Sequence, residues 1–163
     1  TKLKQVLPLC RIRPIVLEIE VNPTFQQPKL FDYCKEQGIL PIAFSPLGSP
    51  CRPERDTEPG DVVTFELPEL REIAEAHRCH PATICVKWAV QRGQVPIPFS
   101  IYAKEYVGNL KCTTEDFLTE DEMERLKKAD RNQRLIKGKV FLWKDAKDWQ
   151  DIWDGEDEWN ELK

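Results

Sequence analysis

The chain has 163 residues, 40% hydrophobic and 32% charged, with 24 basic against 28 acidic side chains and a formal net charge of -4. This is the composition of an ordinary globular domain; it excludes a disordered or membrane-spanning chain and leaves no basic field for nucleic acid, so neither a membrane nor nucleic acid is expected as a partner. Six cysteines without a C-x-x-C pair read as free thiols of a reducing compartment, and a cytoplasmic setting is expected.

Leu3, Val6, Leu7 and Cys10 stand three and four apart, the apolar stripe of a helix ending before Arg11. After Pro14 comes a β-branched run over residues 15–21, read as a buried strand and closed by the turn signal Asn22-Pro23. Glu18 and Glu20, two apart, share one face of it: the solvent side of an open sheet, or the interior of a closed barrel where a charge needs a partner. Pro28 opens a helix that buries Leu30, Phe31, Tyr33 and Cys34, and Gly38 stops it. A second strand over residues 39–44 makes a βαβ unit and runs into Phe44-Ser45-Pro46-Leu47-Gly48-Ser49-Pro50. There the switch from apolar to small polar residues reads either as a phosphate-accepting loop at a strand tip or as an ordinary turn.

Residues 51–66 carry prolines and mixed charges without a period, and read as a lid or crossing loop. Leu67, Leu70, Ile73 and Ala74 mark the next helix. Pro81 begins another, burying Ile84, Cys85, Trp88 and Ala89 before Gly93. His77, Cys79, His80 and Cys85 match no standard zinc spacing; His77 reads as a helix end and His80 as the following cap, so no metal site is expected. Val95-Pro96-Ile97-Pro98 is a short strand whose prolines limit its pairing. A short helix is expected over residues 104–110, and Thr119 and Glu122 spell a capping box that starts one carrying Met123, Leu126 and Ala129. The last thirty residues show no period and hold Trp143, Trp149, Trp153 and Trp159 among acidic side chains, either as packing or as a cover over an apolar ligand.

Three of these stretches, taken in order, resemble aldo-keto reductases. Arg13-Pro14-Ile15-Val16-Leu17-Glu18-Ile19-Glu20-Val21-Asn22-Pro23 is similar to the family's sixth barrel strand, Phe44-Ser45-Pro46-Leu47-Gly48 to the end of the seventh, and Ile97-Pro98-Phe99-Ser100 to the eighth. The resemblance implies an α/β fold: the C-terminal half of a (β/α)₈ TIM barrel, with residues 1–130 supplying the last three strand-helix units and 131–163 a C-terminal substrate-loop-like tail. It also implies an oxidoreductase that takes a nicotinamide dinucleotide and reduces a small carbonyl substrate (an aldehyde, ketone or sugar) by hydride transfer.

Carried over by position, Phe44 stands for the aromatic that stacks on nicotinamide, and Glu18 stands where a glutamine usually bonds its carboxamide. Ser45, Leu47 and Ser49 fall in the pyrophosphate loop, and Ser100, Ile101, Glu105 and Asn109 fall at the adenosine end. Asn22 replaces a common histidine. Phe99 and Glu105 occupy the places of the lysine and arginine that hold the 2′-phosphate of NADP, so NAD is the expected cofactor and NADP the alternative. Trp143 and Trp149 are the expected substrate wall, joined by Phe141 and Trp153. The family's catalytic Asp, Tyr, Lys and His belong to the other half of the barrel, and Tyr33, Tyr102 and Tyr106 do not sit at the tyrosine's position. No catalytic residue is assigned: the chain is read as a fragment, expected to be inactive without a missing N-terminal half. The competing reading is a non-catalytic half-barrel serving as a binding or assembly module.

Overall fold

A computed structural model describes residues 2–153; Thr1 and residues 154–163, with Trp159 among them, lie outside the described residues. The chain opens with α1 (Lys2–Val6), which tightens into a 3₁₀ turn over Leu7–Leu9 at Pro8. Strand β1 (Val16–Glu20) is joined through α2 (Pro28–Glu36) to β2 (Leu40–Phe44). Helices α3 (Pro68–Ala76) and α4 (Pro81–Arg92) then lead to β3 (Val95–Pro96), and α5 (Ala103–Lys111) and α6 (Glu120–Lys127) follow. The sheet is parallel throughout, in the order β1-β2-β3, with Val16 beside Leu40, Glu20 beside Phe44 and Ile42 beside Val95. Backbone hydrogen bonds from Leu40 N to Ile15 O, Val21 N to Phe44 O and Ile97 N to Ala43 O extend the ladder one step past the regular strands. The proline at each even position after Val95 keeps β3 to two residues.

The elements start and stop where backbone chemistry requires. Pro28, Pro68 and Pro81 occupy first helical turns, where a missing N–H costs nothing. His80 Nδ1 accepts the Ala82 N–H at 3.1 Å and caps α4. Gly93 ends that helix at φ +90°. At α6 the Glu122 N–H reaches Thr119 Oγ1 at 3.3 Å while Thr119 N–H reaches Glu122 Oε2 at 2.8 Å, a reciprocal capping box.

Alternation along the strands sorts their side chains onto two faces. Ile19, Val21 and Ala43 face the helices and join Leu70, Ile73, Ile84, Trp88, Leu126 and Ala129 in the main core. Leu17 faces a smaller cluster of Leu7, Cys34 and Ile39 under α1 and α2. Each fully buried aliphatic side chain here contributes roughly 1.5–3 kcal/mol. The opposite face, carrying Val16, Leu40 and Val95 with Ile97 continuing it, has no helix over it among the described residues, and these four are 42–49% exposed. Only its C-terminal end is covered, by residues 131–153. That segment has two 3₁₀ turns, at Lys139–Phe141 and Trp149–Ile152, where the sequence shows no period.

Candidate functional site

Strand β1, the end of β2, the first turns of α1 and α2 and the covering tail line an open cavity of about 600 Å³. Its walls include Glu18, Glu20 and Phe44 from the strands and Arg134, Trp149 and Trp153 from the tail. Phe44 is the last residue of β2, so its ring sits at the strand tip, beside Glu20 in register. Glu18 is exposed to the cavity, whereas Glu20 is buried.

Glu20 is the anchor of the tail. Its carboxylate accepts the Leu135 N–H at 2.9 Å and the Ile136 N–H at 3.1 Å, and Arg134 Nη1 stands 3.7 Å from Oε2. Burial pushes its carboxyl up from the usual range, against the pull of the two amides and of Arg134 and Lys137. The Arg134 guanidinium lies 3.8 Å from the Trp153 ring centroid and 4.6 Å from that of Phe25. The shared face of Glu18 and Glu20 is thus divided: the inner carboxylate has protein partners, and the outer one faces open volume.

The loop after β2 takes an unusual backbone path. Ser45 and Ser49 hold φ +50° and +42°, and Gly48 holds +78° with its N–H on Ser45 O at 3.0 Å. Positive φ at two serines is a strained arrangement that surrounding packing must maintain. Leu47 packs against the main core, and Gly48 lies so close to Thr64 that no side chain fits between them. Arg52 grips the loop from behind, reaching Ser49 O at 3.4 Å and Asp56 O at 3.2 Å.

A third group lies at the start of α5. Ser100 Oγ donates to Glu105 Oε2 at 2.6 Å and accepts the Tyr102 N–H at 3.0 Å. Ile101 and Phe99 are largely exposed beside it, and Asn109 is half-buried on the same helix.

The structure therefore brings Glu18, Phe44 and Trp149 onto one cavity and pairs Ser100 with Glu105. Ser45, Leu47 and Ser49 form a separate loop outside the cavity lining, and Trp143 is half-exposed away from it. None of Tyr33, Tyr102 and Tyr106 lines the cavity. Sequence reasoning missed Arg134 and Lys137. The only signal was two cations in an aromatic, acidic tail, and what gives them a role is contact with residues more than 70 positions away.

His77, Cys79 and His80 do not converge on a metal, and no group of metal-binding side chains occurs among the described residues. His77 instead bridges two carboxylates, with Nδ1 2.9 Å from Asp116 and Nε2 3.0 Å from Glu122. Asp116 also receives the buried Lys87 ammonium, at 2.5 Å. Among the described residues no helix is long and apolar enough to cross a membrane.

Comparison with known proteins identifies the family. The sequence model of the aldo/keto reductase family matches residues 3–131. An aldo/keto reductase of Synechocystis is 33% identical over 154 residues, covering 94% of this chain and 47% of that protein. An NADPH-dependent D-xylose reductase of Candida boidinii is 40% identical over 128 residues, covering 77% and 40%. Aldo-keto reductase family 1 member A1 of Gallus gallus is 35% identical over 136 residues, covering 83% and 40%. The chain spans less than half the length of these curated relatives. With the family match running through all three strands and all six helices, short only of Lys2 in α1, the chain belongs to the aldo/keto reductase family.

Proposed function

We propose that this chain is the cofactor-binding half of an NAD(P)-linked carbonyl reductase, its three strands being part of a (β/α)₈ barrel and residues 131–163 the substrate-side tail. The observation that carries the reading is the cavity at the strand tips, where Phe44 and Glu18 face an aromatic wall from the tail. An aromatic ring at the end of β2 and a hydrogen-bonding carboxylate midway along β1 suit a flat, amide-bearing ring such as nicotinamide. Parallel strands place their sites at this end. The half-barrel reading is supported by the sheet itself, since all-parallel sheets are covered on both faces and this one carries helices on one. Residues 131–153 pack on the strand ends rather than extending the sheet.

Hydride transfer to a carbonyl requires an acid to protonate the forming alkoxide. With no tyrosine hydroxyl on the cavity, that acid is supplied from outside this chain, and the chain alone does not turn over an aldehyde. For the adenosine end, Glu105 and the exposed Phe99 present no cation to a 2′-phosphate, whereas a carboxylate accepts from a free ribose 2′-OH. NAD is therefore the preferred cofactor. Fluorescence titration with NAD⁺ and NADP⁺ tests this: tighter binding of NADP⁺ refutes the preference, and Glu105→Arg is expected to move affinity toward NADP⁺.

A further inference from the structure

Lys137 is nearly inaccessible, 2% exposed, and stands where two separate parts of the chain meet. On one side its ammonium donates to Asp56 O at 3.1 Å and lies 3.5 Å from Glu58 and 3.6 Å from Asp61. Its backbone N–H donates to Asp56 Oδ1 at 3.2 Å. Asp61 in turn holds Arg52 at 2.5 Å, and Arg52 holds the carbonyl of Ser49. Gln133 fastens the same place a second time, donating to Asp61 Oδ1 at 3.0 Å and accepting the Val62 N–H at 3.0 Å. On the other side the Lys137 carbonyl accepts the Trp153 indole N–H at 2.8 Å, and the ammonium lies 5.7 Å from the Trp149 ring centroid.

A buried lysine is costly unless several acceptors surround it, so this arrangement persists only while the loop and the tail are both in place. Asp61 reflects the same network: burial opposes its ionisation, yet the Glu58 amide, Arg52 and Lys137 together hold its carboxyl below the usual range.

We propose that Lys137 is a positioning residue that couples the loop after β2 to the aromatic wall of the cavity, through the connected series Ser49, Arg52, Asp61, Lys137 and Trp149/Trp153. Occupation of the loop then sets the wall, so a nucleotide on the Ser45–Ser49 side and a carbonyl compound at the tryptophans sense each other. The nucleotide part of this rests on the function proposed above; the coupling itself does not.

The test uses the 163-residue chain labelled with 5-fluorotryptophan, comparing wild type with Lys137→Met, Asp61→Asn and Trp153→Phe. Asp61→Asn changes a loop side chain that meets Lys137 and Gln133 and reaches the tryptophans only through them. It is expected to shift the ¹⁹F resonances of Trp149 and Trp153, and Lys137→Met to lower amide-exchange protection about tenfold in residues 49–62 and 133–137 together. Wall resonances unmoved by Asp61→Asn, or exchange confined to 133–137 in Lys137→Met, would overturn the coupling. Trp153→Phe guards against general unfolding: it removes one link without burying a charge, and is expected to raise exchange in 49–62 by a smaller factor while the melting temperature stays close to wild type. Unchanged exchange in 49–62 in this variant also counts against the proposal. Adding NAD⁺ to wild type separates the two ideas. If neither NAD⁺ nor NADP⁺ binds, the cofactor reading falls while the free-chain measurements still decide the coupling. If NAD⁺ binds, ADP-ribose, which lacks the nicotinamide ring, is expected to move the wall resonances in wild type and not in Lys137→Met, and equal shifts in both overturn the coupling.

Discussion

Replacing Gly48 by alanine probes the loop after β2 more directly than any change to its serines. Gly48 holds φ +78°, and an added Cβ would stand 2.0 Å from Thr64 Oγ1 and 2.7 Å from Thr64 Cβ. Holding alanine in the left-handed region costs about 1–2 kcal/mol. Thr64 has nowhere to retreat: it is 1% exposed, and its hydroxyl lies 3.2 Å from that of Thr24, which donates to Asn22 Oδ1 at 2.7 Å. Displacing it adds an overpacking term of about 1–3 kcal/mol, for a total of roughly 2–5 kcal/mol. Urea denaturation of Gly48→Ala, Thr64→Gly and the double variant closes a cycle in which the double variant keeps only the left-handed cost. A single-variant loss below about 1 kcal/mol, or equal losses in the two backgrounds, refutes the close-approach argument.

Two further perturbations follow from the packing and the charges. At His77 burial opposes the charged ring, yet Asp116 and Glu122 on its two nitrogens outweigh that and raise its pKa above the free-imidazole value. Its contribution to stability is therefore full below about pH 6.5 and is lost as pH rises through the raised value. Urea midpoints measured from about pH 6 to pH 9 should fall in the wild type by more than in His77→Gln, and parallel curves would contradict the bridge. Leu126, fully buried on α6 between the helices of the main core, should cost about 2–5 kcal/mol on replacement by alanine. A near-zero effect in the same denaturation assay would mean that α6 does not pack as described.

How much of this could be read from the residues depended on how local the determinant was. The helices were legible because each carries a short-range signal: Leu70, Ile73 and Ala74 at helical spacing, Pro81 and Gly93 at the ends of α4, and Thr119 with Glu122 at the start of α6. Phe44 and Glu18 were singled out through their motifs, and both line the cavity. Lys87 was not. It lies off the apolar stripe of Ile84, Cys85, Trp88 and Ala89, and a stripe argument leaves it in water. It is buried because the segment after α5 folds over it and supplies both the carboxylate and the carbonyl of Asp116. The tail is the extreme case. Its course is set by Glu20 accepting amides 115 and 116 positions later and by Lys137 meeting a loop 81 positions earlier, and no window of sequence contains both ends of such a contact.

The position of Glu18 on the uncovered sheet face has a consequence for how the chain behaves in a crowded solution. Val16, Leu40, Val95 and Ile97 form the sort of flat apolar surface on which copies of a protein stack and precipitate. Glu18 stands in the same row as Val16, two residues along β1 and beside Ile42, so the surface is interrupted by a carboxylate. Stacking two such faces would strip water from two like charges at once, a desolvation cost of several kcal/mol per ion that the small apolar area cannot offset. A single carboxylate midway along β1 thereby acts as a gatekeeper, keeping this sheet face dispersed until something able to pair with that charge covers it.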